Sequence, residues 1–332
     1  MKSDTSFEHR ILITGANGFV GSWLQRELKS REHELDITIF PFGHGTTSLP
    51  TLDVRKYDQL VKLVDDCQPT AIIHLAAVAA PTEAHKAPRL AWDINVTGTM
   101  NMAYATMEAA PDARFIFVSS SETYGESFND SMGKPIDENA VLKPMNAYGA
   151  SKAAADVLIG QLAHEGLNTI RFRPFNHTGP GQTDAYVVAA FAKQLAEISA
   201  GLRSPIINVG NLTAYRDFLD VRDVVRAYAD VALFDFPGSH GQVFNLASGK
   251  TRRIQDILDL LINISGQKID VQFDPKRLRA SAVESASGDA AAALHTLNWR
   301  PTIPFEQTLT EVFEYWKENA ASRHAIRASP AR

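Results

Sequence analysis

Four short, almost wholly apolar runs punctuate the first third of the chain: Ile11-Leu12-Ile13, Ile37-Thr38-Ile39-Phe40, Ala71-Ile72-Ile73-His74-Leu75 and Phe115-Ile116-Phe117-Val118. Amphipathic, helix-length stretches at 18–30, 58–66 and 96–109 separate them. A strand with one wet face alternates polar and apolar residues, whereas a strand covered on both faces does not. Buried strands that take turns with helices specify an α/β fold, a doubly wound parallel sheet with helices on both sides. Ligands of such a sheet bind beyond the carboxyl ends of its strands.

After a helix carrying Tyr148, Thr169-Ile170-Arg171-Phe172 reads as a further strand. From Pro174 onward, loops rich in Gly and Pro alternate with short helices and strands, the pattern of a smaller cap. Phe218-Leu219-Asp220 and Val243-Phe244-Asn245-Leu246 read as strands returning to the main sheet. The expected organisation is a nucleotide-binding domain at 8–174 with return segments near 214–247. A substrate domain occupies mainly 175–320, and 321–332 is a small, basic, patternless tail.

A net charge of −5 argues against a nucleic-acid or anionic-membrane footprint. Cys67 is the only cysteine, so no intrachain disulfide forms and a reducing cytoplasm is the expected location. The start of the chain is polar, without the apolar core of a signal peptide. The longest apolar run, 71–80, is too short to span a bilayer. The ten histidines are scattered with none of the spacings that build a metal site.

Gly15-Ala16-Asn17-Gly18-Phe19-Val20-Gly21 joins the first strand to the first helix. Glycines there let the backbone approach a pyrophosphate, and the helix start supplies unpaired N–H groups and positive potential. The end of the second strand, where an acid commonly holds the adenosine ribose, reads Phe40-Pro41-Phe42-Gly43-His44. NAD and NADP both stay open, and the missing acid leans toward NADP.

Ser119-Ser120-Ser121-Glu122 leaves the carboxyl end of the fourth strand. A hydroxyl there can steady developing charge on a carbonyl oxygen, and Glu122 beside it can act as a further acid or base. Tyr148 and Lys152 stand one helical turn apart on one face. A nearby ammonium is expected to pull the phenol down toward the working range.

Taken in order, Gly15–Gly21, Asp53-Val54, His74-Leu75-Ala76-Ala77, Asn95, the serine run and Tyr148/Lys152 resemble the extended short-chain dehydrogenase/reductase family, from roughly residue 10 to 316. That resemblance implies a Rossmann-type NAD(P)-dependent oxidoreductase acting on a nucleotide sugar. It implies a cofactor site built from Gly15, Asn17, Gly18, Phe19, Val20, Asp53, Val54, Leu75, Ala76, Ala77, Asn95, Tyr148, Lys152 and Phe175. Ser120 would be the catalytic hydroxyl, Tyr148 the acid/base and Lys152 the ribose contact, with Glu122 a further catalytic candidate.

The later stretches Arg173-Pro174-Phe175-Asn176-His177-Thr178-Gly179-Pro180-Gly181-Gln182 and Arg216-Asp217-Phe218 narrow the resemblance to the GDP-4-dehydro-6-deoxy-D-mannose reductases. By that resemblance Asn176, Arg216, Arg279 and Lys193 would hold a GDP-linked 4-keto-6-deoxy sugar. Reduction would give GDP-D-rhamnose or GDP-6-deoxy-D-talose. The run Ser120-Ser121-Glu122 is also similar to 4,6-dehydratases, which together with 4-epimerases form the alternative. A non-catalytic dinucleotide sensor is a further one. Related enzymes pair helices across a two-fold axis, so a homodimer through 96–109 and 153–165 is expected.

Overall fold

The computed structural model describes residues 8–45, 49–277 and 283–328, with side chains as far as 322. Its twelve strands are β1 (His9–Thr14), β2 (Ile37–Phe42), β3 (Ala71–His74), β4 (Arg114–Val118), β5 (Thr169–Pro174), β6 (Asn176–Thr178), β7 (Ile206–Val209), β8 (Tyr215–Asp220), β9 (Val243–Leu246), β10 (Thr251–Arg253), β11 (Asp270–Phe273) and β12 (Ser285–Ala286).

Six of them make one parallel sheet in the order β2-β1-β3-β4-β5-β9. The chain turns from β1 to one side and comes back as β3 on the other, so the switch point lies between those two strands. Register brings the strand ends level: Thr14 lies opposite both Phe42 and His74, Val118 opposite Phe172, and Pro174 opposite Leu246. Gly15, Leu75, Ser119 and Phe175 therefore share one edge.

Both sheet faces are covered, as the unbroken apolar runs require. Helices Phe19–Ser30 and Val221–Leu233 close one face over Ile11, Ile13, Ile73 and Phe172. Helices Tyr57–Cys67, Thr99–Ala109 and Ala147–His164 close the other over Leu12, Ile72, Phe115 and Phe117. A second core lies in the C-terminal lobe, where Phe191, Leu195, Leu258, Leu261, Leu309 and Phe313 pack from three helices.

The return segments divide. β9 joins the main sheet beside β5, but Phe218-Leu219-Asp220 does not. Those residues lie in β8, the centre of a small separate sheet with β6, β10 and β12. The helix that follows β8 packs on the main sheet, and Leu219 of β8 joins that core without pairing to it. The last helix, Phe305–Ala328, runs on into the stretch that the sequence suggested was a tail.

Candidate active site

The first turn at the sheet edge is shaped by close backbone contact. Gly15 has φ +69°, and a Cβ there would stand 2.8 Å from the Ala76 amide nitrogen. A Cβ on Gly21 would meet the Gly15 carbonyl oxygen at 2.5 Å. Gly15 lets the turns after β1 and β3 press together at the switch point, and Gly21 lets the first helix close onto the Gly15–Ala16 backbone. Gly18 differs, because a Cβ there would meet only the Gly15 oxygen, at 3.3 Å. It caps helix Phe19–Ser30 with no side-chain hydrogen bond and no acid in the first turn. Unpaired amides at an open helix start form an anion cradle, and this one fits the pyrophosphate of a dinucleotide. Asn17 is fixed beside it, its amide donating to the His44 carbonyl at 2.9 Å.

Two turns further along the edge, the Ser120 hydroxyl stands beside the Tyr148 phenol. Ser120 is mostly buried and its Oγ also accepts from the Glu122 amide at 3.2 Å. Lys152 lies one helical turn below Tyr148, only 3% exposed, with its Nζ 4.4 Å from the centre of the Phe117 ring. Burial pulls its ammonium down to about 7, against the opposing charge of Asp156. The Tyr148 phenol moves the other way, raised by burial more than the neighbouring Ser120 hydroxyl lowers it. The pull expected from Lys152 is thus corrected: burial dominates, and the phenol is raised rather than drawn down.

A sequence profile of the GDP-mannose 4,6 dehydratase family matches residues 12–312. The GDP-6-deoxy-D-mannose reductase of Pseudomonas aeruginosa is 33% identical over 93% of this chain and 97% of its own. The chain belongs to the GDP-mannose 4,6 dehydratase family. A solved structure described as RMD from Pseudomonas aeruginosa complexed with NADPH superposes on this family member with a TM-score of 0.83, at 32% identity, covering 94% of this chain and 99% of that one. A UDP-glucose 4-epimerase from Streptomyces lividans is 29% identical over 92% of this chain and 95% of its own. The extended short-chain dehydrogenase/reductase architecture expected from the sequence is thereby shown.

Within this family member the remaining expected residues fall into three groups. Leu75, Ala76 and Ala77 line the crevice beside Gly15, with the Ala76 amide donating to Thr14 Oγ1 at 3.2 Å. Val54 packs under Gly98, while the Asp53 carboxylate is clasped by Arg55 at 2.8 Å, which holds it down to about 2. Phe19 stacks on His177, with Val20 behind it in the same helix turn. Asn176 is exposed at the start of β6, and Arg216 in β8 faces the charge of Glu122. The Arg216 guanidinium donates to the carbonyls of Tyr215 and Val283 at 2.6 and 2.9 Å.

The second group is inward-facing. Asn95 is fully buried, accepting from the Val78 amide at 2.8 Å and donating to Ser151 Oγ at 2.9 Å. It ties the turn after β3 to the Tyr148 helix. The Phe175 ring packs with Tyr124 and Phe128 in the core, so only its backbone lies along the sheet edge. The third group comes from the C-terminal half of the chain. Lys193 is paired with Asp184 at 2.6 Å, and its Nζ stands 5.6 Å from the Trp316 ring centre. Arg279 falls outside the described residues.

Two residues that sequence reasoning passed over sit beneath the site. The Asp156 carboxylate, wholly buried on the Lys152 helix, receives Arg173 Nε and Arg171 at 2.9 Å each. Asn146 caps that helix, its Oδ1 accepting from the Gly149 amide at 2.8 Å. An Asn two residues ahead of the helical Tyr148 was the available signal for the cap.

Proposed function

We propose that this protein is a cytoplasmic NADPH-dependent reductase of a GDP-linked 4-keto-6-deoxyhexose, giving GDP-D-rhamnose or, by delivery to the other face, GDP-6-deoxy-D-talose. The supporting observation is the juxtaposition of Ser120 and Tyr148 above Lys152, in a chain 33% identical to a GDP-6-deoxy-D-mannose reductase over 93% of its length. No described helix is long and apolar enough to cross a membrane.

A bound nicotinamide dinucleotide supplies the hydride; Gly15, Gly18 and the open helix start would hold its pyrophosphate, and Lys152 its ribose. Ser120 and Tyr148 present two hydroxyls to the keto oxygen of the sugar. As that oxygen becomes an alkoxide, Tyr148 gives it the phenolic proton. A reductase needs this group protonated at neutral pH, and burial keeps the phenol in that form. Asn176 and Arg216, at the mouth of the small sheet, would take the diphosphate, a fork-shaped guanidinium being suited to phosphate oxygens.

The test mixes the purified protein with NADPH and GDP-4-dehydro-6-deoxy-D-mannose and follows the cofactor's absorbance. Stoichiometric loss of NADPH with formation of a GDP-6-deoxyhexose is expected. Water loss from GDP-mannose with no net use of NADPH would overturn the reductase reading in favour of a dehydratase. We further propose a homodimer through helices Thr99–Ala109 and Ala147–His164, which leave Tyr104 39% and Val157 62% exposed.

A further inference from the structure

The carboxylate of Glu122 is held in a way that a free base would not be. Its Oε2 accepts from Asn146 Nδ2 at 3.0 Å, and the Oδ1 of the same Asn146 caps the Tyr148 helix through the Gly149 amide at 2.8 Å. The two backbones also touch: a Cβ on Gly149 would stand 2.6 Å from the Glu122 carbonyl oxygen. Glu122 donates its own amide to Ser120 Oγ, and the Ser120 hydroxyl stands beside the Tyr148 phenol. Ser120, Glu122, Asn146 and the first turn of the Tyr148 helix therefore close into a ring. Three of its links are hydrogen bonds outside the regular strand and helix ladders, and the fourth is the approach of the Ser120 and Tyr148 hydroxyls.

We infer that the Glu122–Asn146 hydrogen bond is a positioning device that sets the separation of Ser120 and Tyr148, and that Glu122 is not an acid or base of the reaction. The inference rests on the reductase reading above. Chemically it needs only an acceptor at position 122 and a donor at position 146. A carboxylate is the stronger acceptor, but an amide oxygen at the same place serves the same geometry. A base, by contrast, has no amide substitute, because an amide takes up no proton at neutral pH.

The ring can be rewired without removing the cap. Asn146→Asp keeps an oxygen for the Gly149 amide, so helix start and thermal stability are preserved, but it sets two carboxylates face to face. Glu122→Gln keeps an oxygen for the Asn146 amide. In the double variant Glu122→Gln/Asn146→Asp the glutamine amide donates to the new carboxylate, so the link returns with donor and acceptor exchanged.

The experiment measures kcat for NADPH consumption with GDP-4-dehydro-6-deoxy-D-mannose for wild type and the three variants, with thermal midpoints alongside. Asn146→Asp is expected to lower kcat by about tenfold or more, the rate factor that corresponds to about 1.4 kcal/mol. Glu122→Gln is expected to lower it by no more than about threefold, and the double variant to recover to within about threefold of wild type. A loss of about a hundredfold or more in Glu122→Gln would overturn the inference, because it marks a proton-transferring carboxylate. So would an Asn146→Asp variant as active as wild type, or a double variant no better than Asn146→Asp. Failure of the reductase reading is separate: the wild type itself would then consume no NADPH.

Discussion

At the scale of single residues, Lys152 carries the largest conflict between folding and function. Its amine is buried against Phe117 and pulled down to about 7, whereas an unfolded lysine titrates near ~10.4. Between those values the unfolded chain binds more protons than the folded one, so stability from this residue rises with pH through that window. The penalty is complete below about 7 and gone above the unfolded value. Lys152→Met should therefore raise the thermal midpoint at pH 6 to 7, with a gain that fades toward pH 10, while NADPH turnover is lost. Thermal melts of both proteins across that range check it, and a destabilised Lys152→Met variant at pH 6 would refute it.

Residues of this kind were visible in the sequence because their chemistry is unusual at a strand or helix end. Tyr148, Lys152 and Ser120 could be picked out from residue type and spacing. Asp156 and Asn146 could not, since their importance lies in partners 17 and 24 positions away, Arg173 and Glu122. An aspartate in a helix interior reads as a solvated charge until β5 is seen to bring two guanidiniums onto it.

At the scale of elements, the glycine turn divides into two kinds of position. Gly15 requires a left-handed backbone and would collide with the Ala76 amide, so Gly15→Ala should cost several kcal/mol and lower the yield of folded protein. Gly18→Ala should fold, losing no more than about 1 kcal/mol at the cap. Its methyl group would face the open crevice, so NADPH affinity should fall by about tenfold or more, a loss readable from nicotinamide fluorescence titration. Equal NADPH affinity in Gly18→Ala and wild type would remove this turn from the cofactor site.

Strands of the main sheet were readable for a physical reason: burial on both faces leaves a run of apolar residues that little else produces. β8 was misassigned by the same rule. Its Phe218 and Leu219 are buried and a helix follows, so it has the look of a sheet strand, yet it pairs with three short strands of two or three residues each. Pairings that short are selected by contacts from remote parts of the chain, and periodicity carries no trace of them. The wide helical turn at Asp93–Gly98 was likewise hidden; it carries Asn95, whose partners Val78 and Ser151 lie 17 and 56 positions away.

For the whole molecule, the two cores are joined by specific polar clamps. The Asp223 carboxylate, on the helix covering the main sheet, accepts from the Thr302 and Ile303 amides at 3.0 Å, and the Trp299 indole donates to the Asp223 carbonyl at 2.9 Å. Asp220 Oδ2 accepts from Thr308 Oγ1 at 2.8 Å at the start of the last helix. These clamps fix the helix after β8 against the start of the last helix. The proposed dimer is tested at this scale. Val157→Asp places a charge on the exposed helix face and should give a monomer by size-exclusion chromatography. An unaltered elution volume, with the wild type dimeric, would place the interface elsewhere.

The late entry of β9 into the main sheet bears on how the chain is made. β5 is complete at Pro174, but the strand that pairs with its outer edge ends only at Leu246, roughly 70 residues later. A ribosome adding about 5–20 residues each second leaves that row of N–H and C=O groups without its neighbour for several seconds. An unfinished sheet edge is a template for pairing with any extended chain nearby. The nascent protein therefore passes through a sticky half-built stage, and chaperone supply and translation speed across the intervening segment should govern how much of it is recovered folded.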